Sequence, residues 1–352
     1  MALLVGIDEA GYGPHLGPLV VAAAALEFPA TEAPPAGPYG SGLNKDRRTG
    51  DALPDPDLWG ALRAHVRKRR GCPESRLLIC DSKIAYSGGN LAPLERAVLG
   101  ALAAMGRRPP SLAELLETLA LAPADRQDGS ASDGAGGDHG PWAAPGTLAL
   151  PVAAVAHEIE AAAGGLAQGL TGIGGRIAGL WVSVASASRL NRLIAGGRNK
   201  AGALFALTTD LVGEVLRRCP SEPIHITMDR HGGRRYYGGL LAGAFPMTPV
   251  EILEESPDFS RYRLTRGGDV APATLSIRDR CETWSLPTAL ASMTAKYVRE
   301  LAMRQLNAYF QSLVPDLKAT AGYGTDAWRF LRQVAAAREA AGIPDEVILR
   351  RR

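Results

Sequence analysis

The sequence predicts an α/β fold, in which helices pack against a β-sheet. Apolar, strand-like runs alternate along the chain with longer segments whose apolar residues recur at helical spacing. Strands interleaved with helices are typical of this fold class. The hydrophobic share of 46% is that of a packed globular protein and excludes a disordered chain. The 352 residues suffice for one large domain or two ordinary ones.

The first half of the chain begins with a predicted hairpin. Two apolar runs flank a loop that is rich in glycine and proline, and a segment dense in proline, glycine and charge follows them. In chain order, we expect strands at 3–9 and 19–28, an exposed loop at 29–57, a helix at 59–70, a short apolar run at 76–80 and a helix at 91–105.

The second half contains a predicted insertion and the longest helices. Residues 122–146 have few large apolar side chains, which predicts a flexible insertion. A helical pattern over 188–218 is weakened at Gly196 and Gly197. The other expected elements are helices at 151–163, 283–313 and 326–341, strands at 176–185 and 224–229, and short strand-like stretches at 250–254, 261–265 and 274–277.

Composition restricts the classes of function. The net charge of +3 favours a polyanionic partner only weakly. The four cysteines are scattered, so neither a zinc site nor a disulfide framework is expected. No apolar stretch reaches the roughly 18 residues that span a bilayer. We therefore expect a cytoplasmic protein with no membrane partner. A monomer is a separate expectation.

The most informative segment runs from Gly6 to Ala22. An apolar run ends in Asp8 and Glu9, crosses a loop with three glycines and two prolines, and resumes as a second apolar run. Carboxylates are costly to bury without partners, so this pair requires a metal or hydrogen-bond donors. A hairpin with a polar tip is the alternative interpretation.

Four further segments contain candidate functional residues. Two of them have a structural alternative: the first fits a helix N-cap, and the aspartate at a strand end in the second is commonly a turn residue. The segments are Asp81-Ser82-Lys83, Ile226-Thr227-Met228-Asp229, the helix from Thr288 to Glu300 with Ser292 and Lys296, and Gly322-Tyr323-Gly324-Thr325.

In this order, the segments resemble the motifs of the type 2 ribonucleases H, ribonuclease HII and its relative HIII. The resemblance extends from residue 5 to residue 325. It implies a ribonuclease H-like mixed central sheet flanked by helices, with a C-terminal helical part. The corresponding domains are a catalytic one at 1–312, including the insertion at 122–146 and an extra hairpin at about 250–277, and the C-terminal part at 313–352.

The resemblance also implies a set of acidic catalytic and metal-binding residues: Asp8, Glu9, Asp229 and Glu282. The family has an acidic residue ten positions before the serine of its motif helix, and counting back from Ser292 gives Glu282. Most type 2 enzymes have aspartate there, so the glutamate is similar to the HIII branch. Asp279 remains an alternative to Glu282 for the fourth acidic position. The implied cofactor is Mg²⁺ or Mn²⁺, with two ions when substrate is bound.

The implied substrate is an RNA–DNA hybrid or a DNA duplex that contains ribonucleotides. The family has a basic residue where this chain has Tyr12, which affects the expected substrate preference more than the metal site. Arg47, Arg48, Arg234 and Arg235 are weaker candidates for phosphate contacts. The expected nucleic-acid-binding residues are Gly11, Tyr12, Gly13, Ser82, Lys83, Lys296 and Tyr323.

The expected activity is that of a metal-dependent endoribonuclease that leaves 3′-hydroxyl and 5′-phosphate ends. One alternative is an enzyme of the same fold with altered specificity. Another is a hybrid-binding protein with weak or no nuclease activity, although all four acidic positions retain Asp or Glu. A third is an α/β protein whose acidic strand ends are only turn residues.

Overall fold

A seven-stranded mixed sheet forms the centre of the protein. The structure is a computed structural model and describes residues 2–29, 43–45, 52–71, 75–121, 140–143, 148–219, 223–267 and 270–351. The strands are β1 (Ala2–Ala10), β2 (Leu19–Phe28), β3 (Leu43–Lys45), β4 (Ala52–Pro56), β5 (Val66–Arg67), β6 (Leu77–Leu78), β7 (Arg176–Ala185), β8 (Ile224–Asp229), β9 (Val250–Glu255), β10 (Phe259–Leu264) and β11 (Ala273–Arg278).

Helices cover both faces of this sheet, which confirms the predicted fold class. They are α1 (Leu58–Ala61), α2 (Ser82–Ala85), α3 (Ala92–Ala104), α4 (Leu112–Leu119), α5 (Ala156–Gly172), α6 (Ala187–Ala195), α7 (Lys200–Arg218), α8 (Gly238–Ala244), α9 (Leu286–Leu313), α10 (Gly324–Gln333), α11 (Ala335–Ala340) and α12 (Asp345–Ile348).

The strand order of the sheet is β7-β2-β1-β8-β11-β10-β9. The three middle strands β1, β8 and β11 are parallel, and every other neighbouring pair is antiparallel. The carboxyl ends of β1, β8 and β11 therefore lie at the same edge of the sheet.

Strand alternation divides the core into two apolar layers. Leu4 of β1 faces the layer that contains α3, α5 and α9, whereas Leu3, Val5 and Ile7 face the layer that contains α6 and α7. All ten residues of β2 are buried, as expected of a strand covered on both faces.

Several predicted elements differ in extent from the observed ones. The helix expected at 59–70 is wrong: Asp57 caps only the four-residue α1, and the chain then turns so that Val66 pairs with Leu77. The helix over 188–218 breaks into α6 and α7, where Gly197 has a φ of 89°. The helix expected at 326–341 is two shorter ones. The expected helix at 151–163 begins at Ala156 instead.

Other predictions fall wholly or partly on parts of the chain outside the described residues. Within the expected loop at 29–57, the described residues include the paired strands β3 and β4. The insertion at 122–146 is described only at 140–143, where a 3-10 turn spans Pro141–Ala143. Helices α4 and α8 were not predicted. Among the described residues, no helix has both the length and the hydropathy needed to cross a bilayer.

The C-terminal helices pack on the second half of α9 around a small third apolar cluster. Phe310 of α9 meets Phe330 of α10 edge to face, and Leu16 of the glycine loop belongs to the same cluster. The C-terminal part and the loop after β1 therefore share one core, which couples their positions.

One buried carboxylate has a structural role. Glu95 of α3 is fully buried and accepts hydrogen bonds from the backbone N–H groups of Val152, Ala153 and Ala154, at 2.6 to 2.7 Å. The Tyr297 hydroxyl donates to it at 2.6 Å. Four donors satisfy this charge, and they connect α3, α9 and the segment before α5.

Candidate active site

Four carboxylates meet at the carboxyl edge of the parallel strands. Asp8 and Glu9 lie near the end of β1 and Asp229 ends β8. Glu282 lies in the 3-10 turn Cys281–Thr283, shortly after β11. Because the three strands are neighbours and run in the same direction, residues that are far apart in the sequence come together here.

The electrostatics of these carboxylates show that they act on one another. Burial, with the charges of Glu9 and Asp229, raises the pKa of Asp8 well above its usual value. Burial and Asp229 raise the pKa values of Glu9 and Glu282 to about 7. Burial raises the pKa of Asp229 to about 6. Adjacent strand residues normally point to opposite faces, yet Asp8 and Glu9 belong to one electrostatic cluster.

Hydrogen bonds fix two of the carboxylates. The Glu9 N–H donates to Asp8 Oδ1 at 2.7 Å, and the Cys281 N–H donates to Asp229 Oδ1 at 3.0 Å. Asp8 also hydrogen-bonds to the Ser292 hydroxyl, which lies 3.0 Å from the Ser82 hydroxyl. Ser82 is buried, and its hydroxyl is linked to the acidic cluster by this contact with Ser292 of α9.

Lys83 supplies positive charge to the cluster. It is exposed on α2, and its charge lowers the pKa values of Glu9, Asp229 and Glu282, against the effect of burial. Asp81 caps this short helix by accepting the Lys83 N–H at 2.8 Å, so the N-cap interpretation of this segment is correct for Asp81.

The rival residue Asp279 points elsewhere. Its side chain is 61% exposed, and Arg230 Nε lies 3.2 Å from its Oδ1. Glu282 is 8% exposed and interacts with both Asp8 and Asp229. Asp279 contributes only a charge effect on Asp229.

The donor set has the chemistry of a hard divalent cation site. Carboxylate oxygens are the ligands that Mg²⁺ prefers, and a cation would offset the mutual repulsion that raises these pKa values. In the described part of the chain, no three His, Cys, Asp or Glu side chains are already arranged to hold a metal ion. The residues fit the ion by charge and type.

The glycine loop beside the cluster tolerates no side chain at Gly11. Its φ is 90°, and a Cβ there would lie 2.6 Å from Arg299 Nε and from the Pro18 carbonyl oxygen. The fully buried Arg299 thus packs directly beneath the loop. Tyr12 is half-buried next to this contact, and Lys200 Nζ lies 5.5 Å from the centroid of its ring.

The Gly-Tyr-Gly-Thr segment is attached to the same loop. The N–H groups of His15 and Leu16 both donate to the Gly322 carbonyl, at 2.8 and 3.3 Å. Tyr323 is 45% exposed, and a Cβ on Gly13 would lie 3.6 Å from its ring. The loop and Tyr323 therefore form one continuous surface.

The remaining predicted contact residues are placed differently. Lys296 Nζ is 2.7 Å from Glu300 Oε1 and 4.7 Å from the centroid of the Tyr86 ring, so its ammonium group is already paired. Arg234 lies over the rings of Phe205 and Tyr237. Arg47 and Arg48 lie outside the described residues.

Sequence reasoning missed the arginines that support the loop. Arg350 is buried, and its Nε donates to the Gly17 carbonyl at 2.6 Å while its Nη1 donates to the Gly11 carbonyl. In the sequence, the Arg350-Arg351-Arg352 run resembles a solvated basic segment, so nothing local indicates this role. Arg299 stands in the motif helix, which is the signal that could have identified it.

Comparisons with known proteins give only distant structural likenesses. No protein-family model matches the chain, and no curated protein matches it. Similar solved structures include one of the PCNA:RNase HII complex from Archaeoglobus fulgidus (TM-score 0.37, 16% identity, covering 99% of this chain and 94% of that one). A second is Bst-RNase HIII in complex with Mn²⁺ (TM-score 0.40, 15% identity, covering 99% of this chain and 66% of that one). A third is ribonuclease H2 from Pyrococcus horikoshii OT3 (TM-score 0.37, 12% identity, covering 98% of this chain and 92% of that one). Likenesses at these scores assign no activity to the chain.

Proposed function

We propose that this protein is a metal-dependent endoribonuclease of the ribonuclease H type 2 kind. It hydrolyses the RNA strand of RNA–DNA hybrids, ribonucleotides embedded in duplex DNA, or both. The observation that supports this proposal is the convergence of Asp8, Glu9, Asp229 and Glu282 at one sheet edge, beside a glycine loop and Lys83.

The four carboxylates would hold Mg²⁺ or Mn²⁺. When bound, two such ions make a water nucleophilic and stabilise the leaving oxygen of a phosphodiester. The protein holds Asp229 by the Cys281 N–H and Asp8 by the Glu9 N–H and Ser292, which limits how far these ligands can move. The water oxygen bonds to phosphorus as the bond to the 3′-oxygen breaks, leaving a 3′-hydroxyl and a 5′-phosphate.

The neighbouring surface supports a polyanionic substrate. Lys83 is exposed beside three carboxylates and can contact a phosphate, and Tyr323 offers a half-exposed ring for contact with a sugar or base. The loop at Gly11, Tyr12 and Gly13 has little side-chain bulk, so backbone groups can approach a 2′-hydroxyl, the group that distinguishes RNA from DNA.

A hybrid-binding protein with altered or no nuclease activity is the second candidate. Tyr12 in place of a basic residue favours altered specificity.

A cleavage assay separates these candidates. Three labelled duplexes would be incubated with Mg²⁺ or Mn²⁺: DNA with one ribonucleotide, an RNA–DNA hybrid, and DNA alone. Asp8→Asn and Asp229→Asn remove charge from the cluster, and Asp279→Asn is the matched control because Asp279 faces Arg230.

Cutting of the first or second duplex, lost in Asp8→Asn and Asp229→Asn but kept in Asp279→Asn, would support the nuclease. Cutting of the hybrid alone would indicate an HIII-like specificity. Tight binding of the hybrid with no metal-dependent cutting would favour the second candidate. The absence of both cutting and binding would refute both candidates.

A further inference from the structure

Arg350 is buried beneath the glycine loop and faces backbone carbonyls instead of a carboxylate. Its side chain is 3% exposed. Nε donates to the Gly17 carbonyl at 2.6 Å, and Nη1 donates to the Gly11 carbonyl and lies 3.5 Å from the Pro14 carbonyl. Burying a guanidinium is costly, so these contacts specify one position of the loop.

The backbone around Arg350 is itself fixed at several points. Its N–H donates to the His15 carbonyl at 3.0 Å, and Leu349 forms an antiparallel bridge with Leu16. Asn191 of α6 donates to the Leu349 carbonyl at 2.9 Å and accepts the Arg351 N–H at 2.7 Å. The guanidinium therefore acts on the loop from a rigid support.

The contact with Gly11 determines the direction of a neighbouring donor. In a trans peptide, the C=O of one residue and the N–H of the next point in opposite directions. Because the Gly11 carbonyl points to the buried guanidinium, the Tyr12 N–H points away from it. No described residue accepts a hydrogen bond from the Tyr12 N–H. By contrast, the His15 N–H of the Pro14 peptide is occupied by the Gly322 carbonyl.

We propose that Arg350 is a positioning residue that aims the Tyr12 N–H at an oxygen atom of the substrate. The proposal rests on the proposed function, since Tyr12 follows Glu9 of the acidic cluster by only three residues, which keeps this peptide beside the cluster. The accepting oxygen belongs to a phosphate or to a ribose hydroxyl. Arg350 itself touches no substrate.

The test compares Arg350→Met, Arg350→Lys and Arg351→Gln. Methionine fills the space without donating, lysine restores a cationic donor, and Arg351 is the exposed neighbour that serves as a matched control. Urea unfolding gives the folded fraction of each variant. The readouts per folded molecule are kcat and KM on the ribonucleotide-containing duplex, and hydrogen exchange of the His15 and Leu16 amides.

We expect Arg350→Met to lose about 100-fold in kcat/KM, the scale of a loop misplaced by about 1 Å. Arg350→Lys should recover most of this loss, Arg351→Gln should stay within about twofold, and the two amides should exchange at least about tenfold faster in Arg350→Met. Wild-type kcat/KM and exchange in Arg350→Met, or a loss fully explained by unfolding, would overturn the proposal.

Binding measurements with variants that also carry Asp229→Asn identify the substrate oxygen that accepts the Tyr12 N–H. If a ribose hydroxyl accepts the bond, Arg350→Met weakens binding of the ribonucleotide duplex and leaves all-DNA binding unchanged. If a phosphate accepts it, both weaken equally. A wild type that cuts no duplex refutes the proposed function, and amide exchange then still decides whether Arg350 positions the loop.

Discussion

The backbone of Thr288 lies directly against Gly6. A Cβ on Gly6 would fall 1.9 Å from the Thr288 nitrogen, so the start of α9 approaches β1 more closely than any side chain allows. The same contact sets the depth at which Ser292, one turn further along α9, meets Asp8. The glycine two residues before the acidic pair is therefore a packing requirement of the site.

We predict that Gly6→Ala destabilises the protein by about 3 kcal/mol, because backbone and not a flexible side chain must move. Urea unfolding would measure the change. Gly164→Ala is the control: this helical glycine of α5 has open space around its Cβ position, and the substitution should be neutral or stabilising by up to about 1 kcal/mol. Equal stability of the two variants would contradict the close contact.

The metal-free protein should lose stability as the pH rises. The folded-state pKa values of Glu9, Asp229 and Glu282 are raised to about 7, 6 and 7, so the protonated cluster is favourable at low pH and this stability is lost as the carboxylates ionise. We expect the free energy of unfolding in EDTA to fall between about pH 4 and pH 7. Addition of Mg²⁺ should reverse the fall, and no effect of Mg²⁺ on unfolding at pH 8 would contradict the metal site.

Asp229→Asn should stabilise the metal-free protein while removing activity. The amide oxygen can still accept the Cys281 N–H, and the substitution removes one of the like charges. At pH 8 in EDTA we expect a gain on the order of 1–3 kcal/mol, measured by urea unfolding. The gain should vanish near pH 4, where the wild-type carboxylate is protonated, and a loss of stability at pH 8 would argue against mutual repulsion.

The apparent affinity for Mg²⁺ should rise between pH 6 and pH 8. Glu9 and Glu282 must lose protons to bind a cation, and their pKa values of about 7 place this competition near neutrality. Mg²⁺ titrations of the cleavage rate at several pH values would measure it. We expect the half-saturating Mg²⁺ concentration to fall steeply as the pH rises to about 7 and to level off at higher pH. A flat profile would contradict the raised pKa values.

Glu95→Gln should cost stability without acting on the chemistry. The neutral amide cannot satisfy three N–H donors and the Tyr297 hydroxyl as the carboxylate does. We expect about 3 kcal/mol of destabilisation, with unchanged activity per folded molecule. Glu160→Gln, which breaks an exposed pair with Arg108, should leave stability nearly unchanged because solvent screens that pair. Activity lost by Glu95→Gln at full folding would place Glu95 in the reaction.

The sequence by itself determined the local elements with strong patterns. The strands at 19–28, 176–185 and 224–229 have the predicted bounds, because largely apolar runs flanked by turn residues leave few other conformations. The break between α6 and α7 follows from Gly196 and Gly197 in the same way. The helix predicted at 59–70 failed because a long-range pairing of Val66 with Leu77 overrode the local spacing.

Only the tertiary structure decided which charged residues face one another. Asp279 and Glu282 are three positions apart and equally acidic, and the turn after β11 buries Glu282 while Asp279 meets Arg230. Arg350 and Arg351 are adjacent arginines, and only one enters the space beneath the glycine loop. The direction of a side chain and its partners depend on contacts between residues tens to hundreds of positions apart, which local sequence patterns do not encode.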